Sequence, residues 1–499
     1  MPEICQNPGR LFSDRRVSTP RVMHMPTIMA LLMLGLSGCA SMTPRSVQPI
    51  AVETPATWST TGISATNGSA SLAQWWQRFD DPLLASLVTR SLQANTSVKK
   101  AQAALLQARA LRDVAAAGLL PTVGSSASAQ RNTSHNNSSN NFNAGLDASW
   151  ELDVFGANRN ALAASEANAQ ASAASLGEVQ VSTAAEVALG YIDLRNAQTR
   201  LAIATDNLAS QKETLQITQW RLQAGLVTSV EAEQARASAE QTAAQLPVLQ
   251  TSIEQSEHAL AVLTGQPPAA LSAQLSATGP VPMAPDNLVL SFPAETLRQR
   301  PDVRAAELQV SAALARVSQA DAARLPSFSI GGSLGLSALT LGTLTNGASV
   351  VSALLASVSL PVFDGGALLG QVHAQEAALE QARMDYQEAV LTALLEVEDA
   401  LVALRGDRDQ LQLLQNAAEA ASNAAQLARQ RYASGLVDFQ TVLETQRTQL
   451  NTQDSVAGAR ATLSADHVRL YKALGGGWNP DGSDAMPLPS ADITRKSRS

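Results

Sequence analysis

Cysteine, charge and aromatic side chains are all scarce in this sequence. Only 2 of its 499 residues are cysteines, which excludes a disulfide scaffold and a cysteine-rich metal site. Its 5 histidines are scattered without the spacing of metal ligands. Charged residues make up 16% and aromatic residues 4% of the chain, both low for a protein that fills large compact cores. We therefore expect no bound metal, no cofactor, and helices that pack through small side chains.

Other signatures of common protein classes are missing as well. The net charge of −8 argues against nucleic acid as a partner, because a nucleic-acid binder carries a basic surface. No apolar run reaches the ~18 residues of a transmembrane helix. There is no glycine-rich phosphate loop, no nucleophile elbow and no histidine pair at metal-ligand spacing. The sequence therefore predicts no catalytic residues and no enzyme activity.

The first 38 residues have the pattern of a secretory signal. Several arginines precede a short apolar stretch at 25–36. The stretch leads into Leu36-Ser37-Gly38-Cys39, which resembles the lipobox of bacterial lipoproteins. This resemblance implies that 1–38 is a lipoprotein signal peptide, that Cys39 is lipidated, and that Ala40 directs the protein to the outer membrane. Residues 39–71 are rich in Ser, Thr, Pro and Gly, and we expect them to form a linker from the lipid anchor.

The chain contains two similar halves. Residues 219–227 align with residues 429–437, which lie 210 positions further along. Each half has the pattern of a helix, two strands, a long helix, a turn and a returning helix. Such self-similarity predicts an internal structural repeat. The predicted divisions are a first repeat at 72–265, a linker at 266–292, a second repeat at 293–476 and a flexible tail at 477–499.

Each repeat contains a predicted β-hairpin, at about 121–154 and about 326–361. Apolar and polar residues alternate in 141–154 and again in 327–337, which is typical of strands with two different faces. Strands of about ten residues can cross a bilayer as a tilted sheet. An open four-stranded sheet would leave backbone groups unpaired in lipid. Spanning strands would therefore require several copies of the chain.

Long helices follow the hairpins. No proline occurs from Gly156 to Ala224, and leucine recurs there every seven residues, as in a coiled coil. At ~1.5 Å per residue such a helix is about 100 Å long, so it must project into an aqueous compartment. Gly225 and Gly435 are predicted to form the turns at the helix tips, and Pro247 to kink the first returning helix.

Four further segments resemble those of the outer membrane efflux protein family, the TolC-like channels. They are Trp75–Leu83, Arg300–Glu307, Leu360–Gly366 and Arg431–Arg447. With the lipobox, they resemble most the lipidated outer-membrane subunits of resistance-nodulation-division (RND) pumps. The resemblance implies a mixed α and β membrane protein that forms a homotrimer. Four strands per copy would form a transmembrane β-barrel of twelve strands, which continues into a long periplasmic helical barrel.

The same resemblance implies a function. The protein would be a passive channel that exports small toxic compounds or drugs across the outer membrane, with a periplasmic adaptor protein and an inner-membrane RND transporter as partners. Two alternatives remain open. One is the exit duct of a type I protein secretion system, which has the same fold. The other is a periplasmic coiled-coil lipoprotein, which explains the helices and the lipid but not the four strands.

The candidate site is the periplasmic end of the helices. The resemblance implies that Tyr432, Leu436, Gln440, Glu444 and Arg447 form the closed aperture. In a threefold assembly each becomes a ring, and a ring of Glu444 would attract cations. Arg447 lies within reach of Glu444 along one helix, so the two could pair and hold the pore shut; an ordinary solvated pair is the alternative. Gln440 stands where relatives usually have an apolar residue, and Glu444 where aspartate is common.

Overall fold

A computed structural model describes residues 55, 57–58, 72–134, 137–285 and 293–479. All of them belong to one compact unit, Val47–Ser499. The predicted signal peptide, Cys39 and most of the predicted linker and tail lie outside the described residues.

The described residues are mainly helical. They form ten α-helices: α1 (Pro82–Ala94), α2 (Thr96–Ala117), α3 (Ala157–Gln223), α4 (Ser229–Ala243), α5 (Gln245–Leu263), α6 (Ser272–Leu275), α7 (Pro293–Gln299), α8 (Pro301–Ala322), α9 (Ala367–Ala433) and α10 (Phe439–Ala473). Within this part of the chain, no helix is both long enough and apolar enough to cross a membrane.

The two longest helices, α3 and α9, are each 67 residues long and occupy equivalent places in the two repeats. Each begins after a glycine in the left-handed conformation, Gly156 or Gly366, which a residue with a Cβ adopts only at a cost. This confirms the predicted long helices. The predicted kink is also confirmed: α4 ends at Ala243 and α5 begins at Gln245, because Pro247 cannot donate a hydrogen bond to the carbonyl four residues earlier.

One antiparallel sheet joins the hairpins of the two repeats. Its strands are β1 (Thr122–Ser134), β2 (Asn137–Leu152), β3 (Ser327–Ala338) and β4 (Val350–Ser359), in the order β1-β2-β3-β4. Phe142 pairs with Ala338 and Leu152 with Phe328, so the two repeats are continuous through β2 and β3. Because side chains alternate along each strand, one face is mostly apolar and the other is mostly Ser, Gly and Asn.

The principal core lies where the N-terminal part of the described chain meets the long helices. The Trp75 ring stacks on Tyr471 at 5.4 Å, and Trp76 and Phe79 are buried beside it. The segment after α5, expected to be a linker, is anchored in part, since Gln198 on α3 donates a hydrogen bond of 2.9 Å to the Leu275 carbonyl. This core packs against the middle of α3, around residues 184–194, and the candidate site lies at the C-terminal ends of α3 and α9.

Candidate functional site

Each repeat ends in a glycine turn at the tip of its helical hairpin. Gly225 and Gly435 have φ angles of 71° and 74°. At the first tip, Gly225 N donates to the Leu222 carbonyl at 2.9 Å and Leu226 N donates to the Arg221 carbonyl at 2.8 Å. The second tip repeats the pattern 210 positions later. This arrangement satisfies the last carbonyls of α3 and α9, and the left-handed glycine makes it possible.

Arg221 joins the two tips within one chain. Its guanidinium lies over the Tyr432 ring, 4.3 Å from the ring centroid. The Nη2 atom also donates hydrogen bonds to the carbonyls of Tyr432, at 3.0 Å, and Ala433, at 3.1 Å. A cation at the C-terminal end of a helix is favoured by the helix dipole. The first repeat therefore caps the long helix of the second.

Tyr432 lies inside the tip, not on its surface, which differs from the expectation that it lines the aperture. It is 6% exposed and packs edge-to-face on Phe439, with ring centroids 5.8 Å apart. Val442 and Leu443 complete the same apolar cluster. An aromatic ring enclosed between two helices and a guanidinium gains more by burial than by facing water. Tyr432 is thus a core residue that shapes the tip.

The other four predicted aperture residues are exposed. Leu436 is on the turn, 74% exposed, and Gln440, Glu444 and Arg447 follow on α10. No ion pair joins Glu444 to Arg447 in the described part of the chain, so the predicted pair does not form within a single copy. These side chains are free to meet equivalent groups of other copies.

A row of polar contacts between α3 and α10 runs along the chain above the tip; we call it the polar seam. Arg200 forms a bidentate ion pair with Asp454, in which Nε and Nη2 donate to the two carboxylate oxygens at 2.6 and 2.9 Å. The Asn207 amide donates to Gln453 at 2.8 Å, and the Gln446 amide donates to the Thr214 hydroxyl at 2.9 Å. The seam was not predicted from sequence, because partners more than 200 residues apart leave no local pattern.

No group of three or more potential metal ligands occurs among the residues that the structure covers. An open cavity of about 470 Å³ adjoins the polar seam, between α3, α9 and α10. Its lining includes Asp206, Arg429 and Arg460, without the glycine-rich loop or convergent ligands that hold a cofactor.

Comparison with known proteins identifies the chain. The model of the outer membrane efflux protein family matches residues 87–266 and 292–476. The chain belongs to this family. The efflux protein is 32% identical over 472 residues to the pyoverdine export outer membrane protein OpmQ of Pseudomonas putida, a match that covers 92% of this chain and 99% of OpmQ.

Two further similarities bear on the fold and the location of this efflux protein. The probable outer membrane lipoprotein SilC of Salmonella typhimurium is 27% identical, with 89% of this chain and 96% of SilC covered. The solved outer-membrane channel OprN is 35% identical, with a TM-score of 0.79 over 85% of this chain and 99% of OprN. The comparisons confirm the predicted fold class, the outer-membrane location and the role as the outer-membrane component of an efflux system.

Proposed function

We propose that three copies of this chain close into one passive tube through which small toxic compounds leave the cell. The four strands of each copy contribute to a twelve-stranded barrel in the outer membrane. The long helices continue it as a tunnel in the periplasm. A periplasmic adaptor protein connects the tunnel to an inner-membrane RND transporter, which supplies the energy.

The open sheet is the observation that carries this proposal. The outer edges of β1 and β4 pair with no strand among the described residues. One face exposes large apolar side chains, including Leu146, Leu334 and Leu354. An apolar face in lipid is stable only if every backbone group is paired, so β4 of one copy must meet β1 of the next. Three copies give twelve strands, a number within the range of known membrane barrels.

The helices support the same closure. Asn207 and Thr214 on α3 are buried, whereas Ala417 and Ala424, at the equivalent positions on α9, are exposed. Leu413 and Leu427 extend this exposed strip of α9. The difference arises because α3 lies against α10 of its own copy and α9 lies at the edge. A second copy would cover the strip and continue the ring.

The tip offers a surface for the adaptor. Trp220, Leu226 and Val230 of the first repeat are 60%, 73% and 62% exposed. Exposed apolar residues grouped at the end of a hairpin mark a protein contact. We assign this surface to the adaptor protein. Leu436, Gln440, Glu444 and Arg447 of the second repeat form the aperture inside it.

Cys39 anchors the tube to the membrane. The segment Leu36-Ser37-Gly38-Cys39 has the pattern that precedes lipidation, and SilC carries the name of a lipoprotein. A Cys39→Ser variant should lose labelling by radioactive palmitate while it keeps channel activity, since the strands alone hold the tube in the membrane. Labelling of the variant equal to wild type would contradict this assignment.

The proposed function is tested by conductance and by drug sensitivity together. The purified full-length chain should form a trimer in mild detergent and give single-channel currents in planar bilayers. Deletion of its gene should make cells hypersensitive to small toxic compounds while protein secretion stays intact. A non-conducting protein, or a deletion that blocks protein secretion alone, would refute the proposal.

A further inference from the structure

The open cavity beside the polar seam is formed by three helices of one copy. Its lining comes from residues 199–210 of α3, from Ala418 and Arg429 of α9, and from residues 449–460 of α10. Its volume of about 470 Å³ lies within the range of pockets that hold drug-sized molecules. Apolar side chains such as Ile203 and Val456 line it together with amides such as that of Gln449. The cavity can therefore hold a small organic molecule that has both an apolar and a polar part.

Three charged side chains line the cavity, one from each helix. Arg429 of α9 is partly buried, and its Nη1 atom donates a hydrogen bond to the Ser210 hydroxyl of α3. Arg460 of α10 and Asp206 of α3 are exposed and form no hydrogen bond or ion pair with another residue that the structure describes. A guanidinium has five donors, so both arginines keep donors for a further partner. Two cations and one anion give the lining an excess of one positive charge, although the whole chain is acidic.

The internal repeat shows that these helices form without the three charges. The two halves are related by the constant shift of 210 residues that also relates Gly225 to Gly435. At the equivalent positions of the other half, Asp206, Arg429 and Arg460 are replaced by Asn416, Gln219 and Gln250. All three replacements are neutral amides on exposed positions of helices. Because an amide satisfies the helix at each equivalent position, the charges at the cavity indicate a charged ligand.

We propose that this cavity binds a small organic anion, with its acidic group between the guanidinium groups of Arg429 and Arg460. Guanidinium groups present paired N–H donors that match the oxygens of a carboxylate, a sulfonate or a phosphate. The apolar part of the ligand contacts Ile203 and Val456. Asp206 favours anions of a single charge, because it repels each further negative charge. The cavity is formed within a single copy, so this inference does not rest on closure of the proposed tube.

Two probes of the same shape test the proposal on the full-length protein in a non-ionic detergent. The probe para-toluenesulfonate carries a negative charge, and para-toluenesulfonamide is its neutral counterpart. Binding is followed by saturation-transfer-difference NMR, and the signal from detergent alone is subtracted. We expect a Kd of about 1 mM or lower for the sulfonate, and a Kd at least about tenfold higher for the sulfonamide. Added salt should weaken binding of the sulfonate, since salt screens its attraction to the arginines.

Variants that carry the residue of the equivalent position test the three charges one by one. Arg429→Gln and Arg460→Gln should each raise the Kd of the sulfonate roughly tenfold, which corresponds to about 1.4 kcal/mol. Asp206→Asn should lower the Kd severalfold, because it removes a repulsive charge. Arg405→Gln, an exposed change on α9 outside the cavity, is the control and should leave the Kd unchanged.

Several results would overturn the proposal. They are the absence of saturable sulfonate binding to wild type, equal Kd values for the two probes, an unchanged Kd in both arginine variants, and a higher Kd in Asp206→Asn. Assembly of each variant is checked by the temperature at which its oligomer dissociates on a gel. If an arginine variant failed to assemble, the two probes on wild type and the Asp206→Asn variant would still decide.

Failure of the proposed function would look different. A chain that forms a conducting trimer but binds no sulfonate refutes only this site. A chain that binds the sulfonate as expected but gives no current refutes only the proposed function.

Discussion

At the scale of single residues, Arg300 holds several helices together through its guanidinium group. In the sequence, Arg300 is only the first residue of Arg300–Glu307, one of the segments that resemble the family. In the structure, the almost fully buried guanidinium of Arg300 pairs with Asp302 at 2.6 Å and with Glu396 of α9 at 2.7 Å. It also donates to the Ala473 carbonyl at 2.9 Å, at the end of α10. One side chain thus joins three helices.

Removal of this charge should destabilise the protein strongly. Arg300→Ala would remove a buried guanidinium and leave the Ala473 carbonyl and the partly exposed carboxylates of Asp302 and Glu396 without their donor, which costs on the order of 1–3 kcal/mol. Arg304→Ala, on the exposed face of the same helix, should change stability by less than about 0.5 kcal/mol. Thermal unfolding of the two variants beside wild type measures the difference. Equal melting temperatures for the two variants would contradict the assigned role.

Asp466 introduces a dependence of stability on pH. Burial, together with the nearby Asp407, raises the pKa of its carboxyl to about 6, and the ion pair with Arg469 partly opposes this rise. Because the folded-state pKa lies above the ordinary value of 3.8, the folded protein binds the extra proton. This contribution to stability is complete below pH ~4 and is lost as the pH rises through about 6.

The expected result is a higher melting temperature at pH 5 than at pH 8 in wild type. The difference should correspond to on the order of 1–2 kcal/mol. Asp466→Asn should remove most of the dependence, since the amide does not titrate, and Asp409→Asn, an exposed change on α9, should keep it. If the melting temperature of Asp466→Asn changed with pH as much as that of wild type, another group would be responsible for the dependence.

Glu444 and Arg447 are predicted to narrow the aperture from the surfaces of α10. They are exposed and unpaired within one copy, so their effect requires rings of equivalent residues. Glu444→Ala and Arg447→Ala should each raise single-channel conductance in planar bilayers. Unchanged conductance in both variants would remove these residues from the aperture.

At the scale of the elements, local sequence patterns predicted where helices and strands lie, but not which of them pack against each other. The absence of proline from Gly156 to Ala224 predicted α3 to within a residue or two, and Gly435 predicted the end of α9 equally well. The alternation of apolar and polar residues predicted the ends of the strands to within a few residues. Neither pattern contains information on partners far along the chain, so the burial of Tyr432, the capping by Arg221 and the polar seam were not predicted. They depend on which helices become neighbours.

The close approach of β2 and β3 depends on a pair of glycines. Gly145 and Gly335 are directly opposite each other. A Cβ at position 335 would lie 2.9 Å from the Ala144 carbonyl oxygen and 3.1 Å from the Gly145 Cα, both backbone atoms. The strands would have to move apart, and the sheet joins the two repeats at this point.

Gly335→Ala should therefore lower stability by about 1–3 kcal/mol. The measurement is the temperature at which the detergent-solubilised oligomer dissociates on a gel. Gly331→Ala is the matched control on the same face. The Cβ added there would lie 3.8 Å from the Ala148 carbonyl oxygen, an ordinary van der Waals distance. Equal dissociation temperatures in the two variants would argue against a close-packed glycine pair.

At the scale of the whole molecule, the scarcity of aromatic and charged residues reflects the architecture. A wall one helix thick needs few large side chains, and helices lined with alanine pack closely. The apolar face of the sheet and the exposed strip of α9 are incomplete surfaces in a single copy. Sequence alone predicted the trimer only through family resemblance, whereas the structure provides two independent surfaces that a second copy would cover.

Native mass spectrometry of the full-length protein in detergent tests the central claim most directly. The proposed twelve-stranded tube, which closes through β1, β4 and α9, contains three copies, so the spectrum should show the mass of three chains with their lipids and no stable monomer. A monomer or dimer as the main species would contradict closure of the ring.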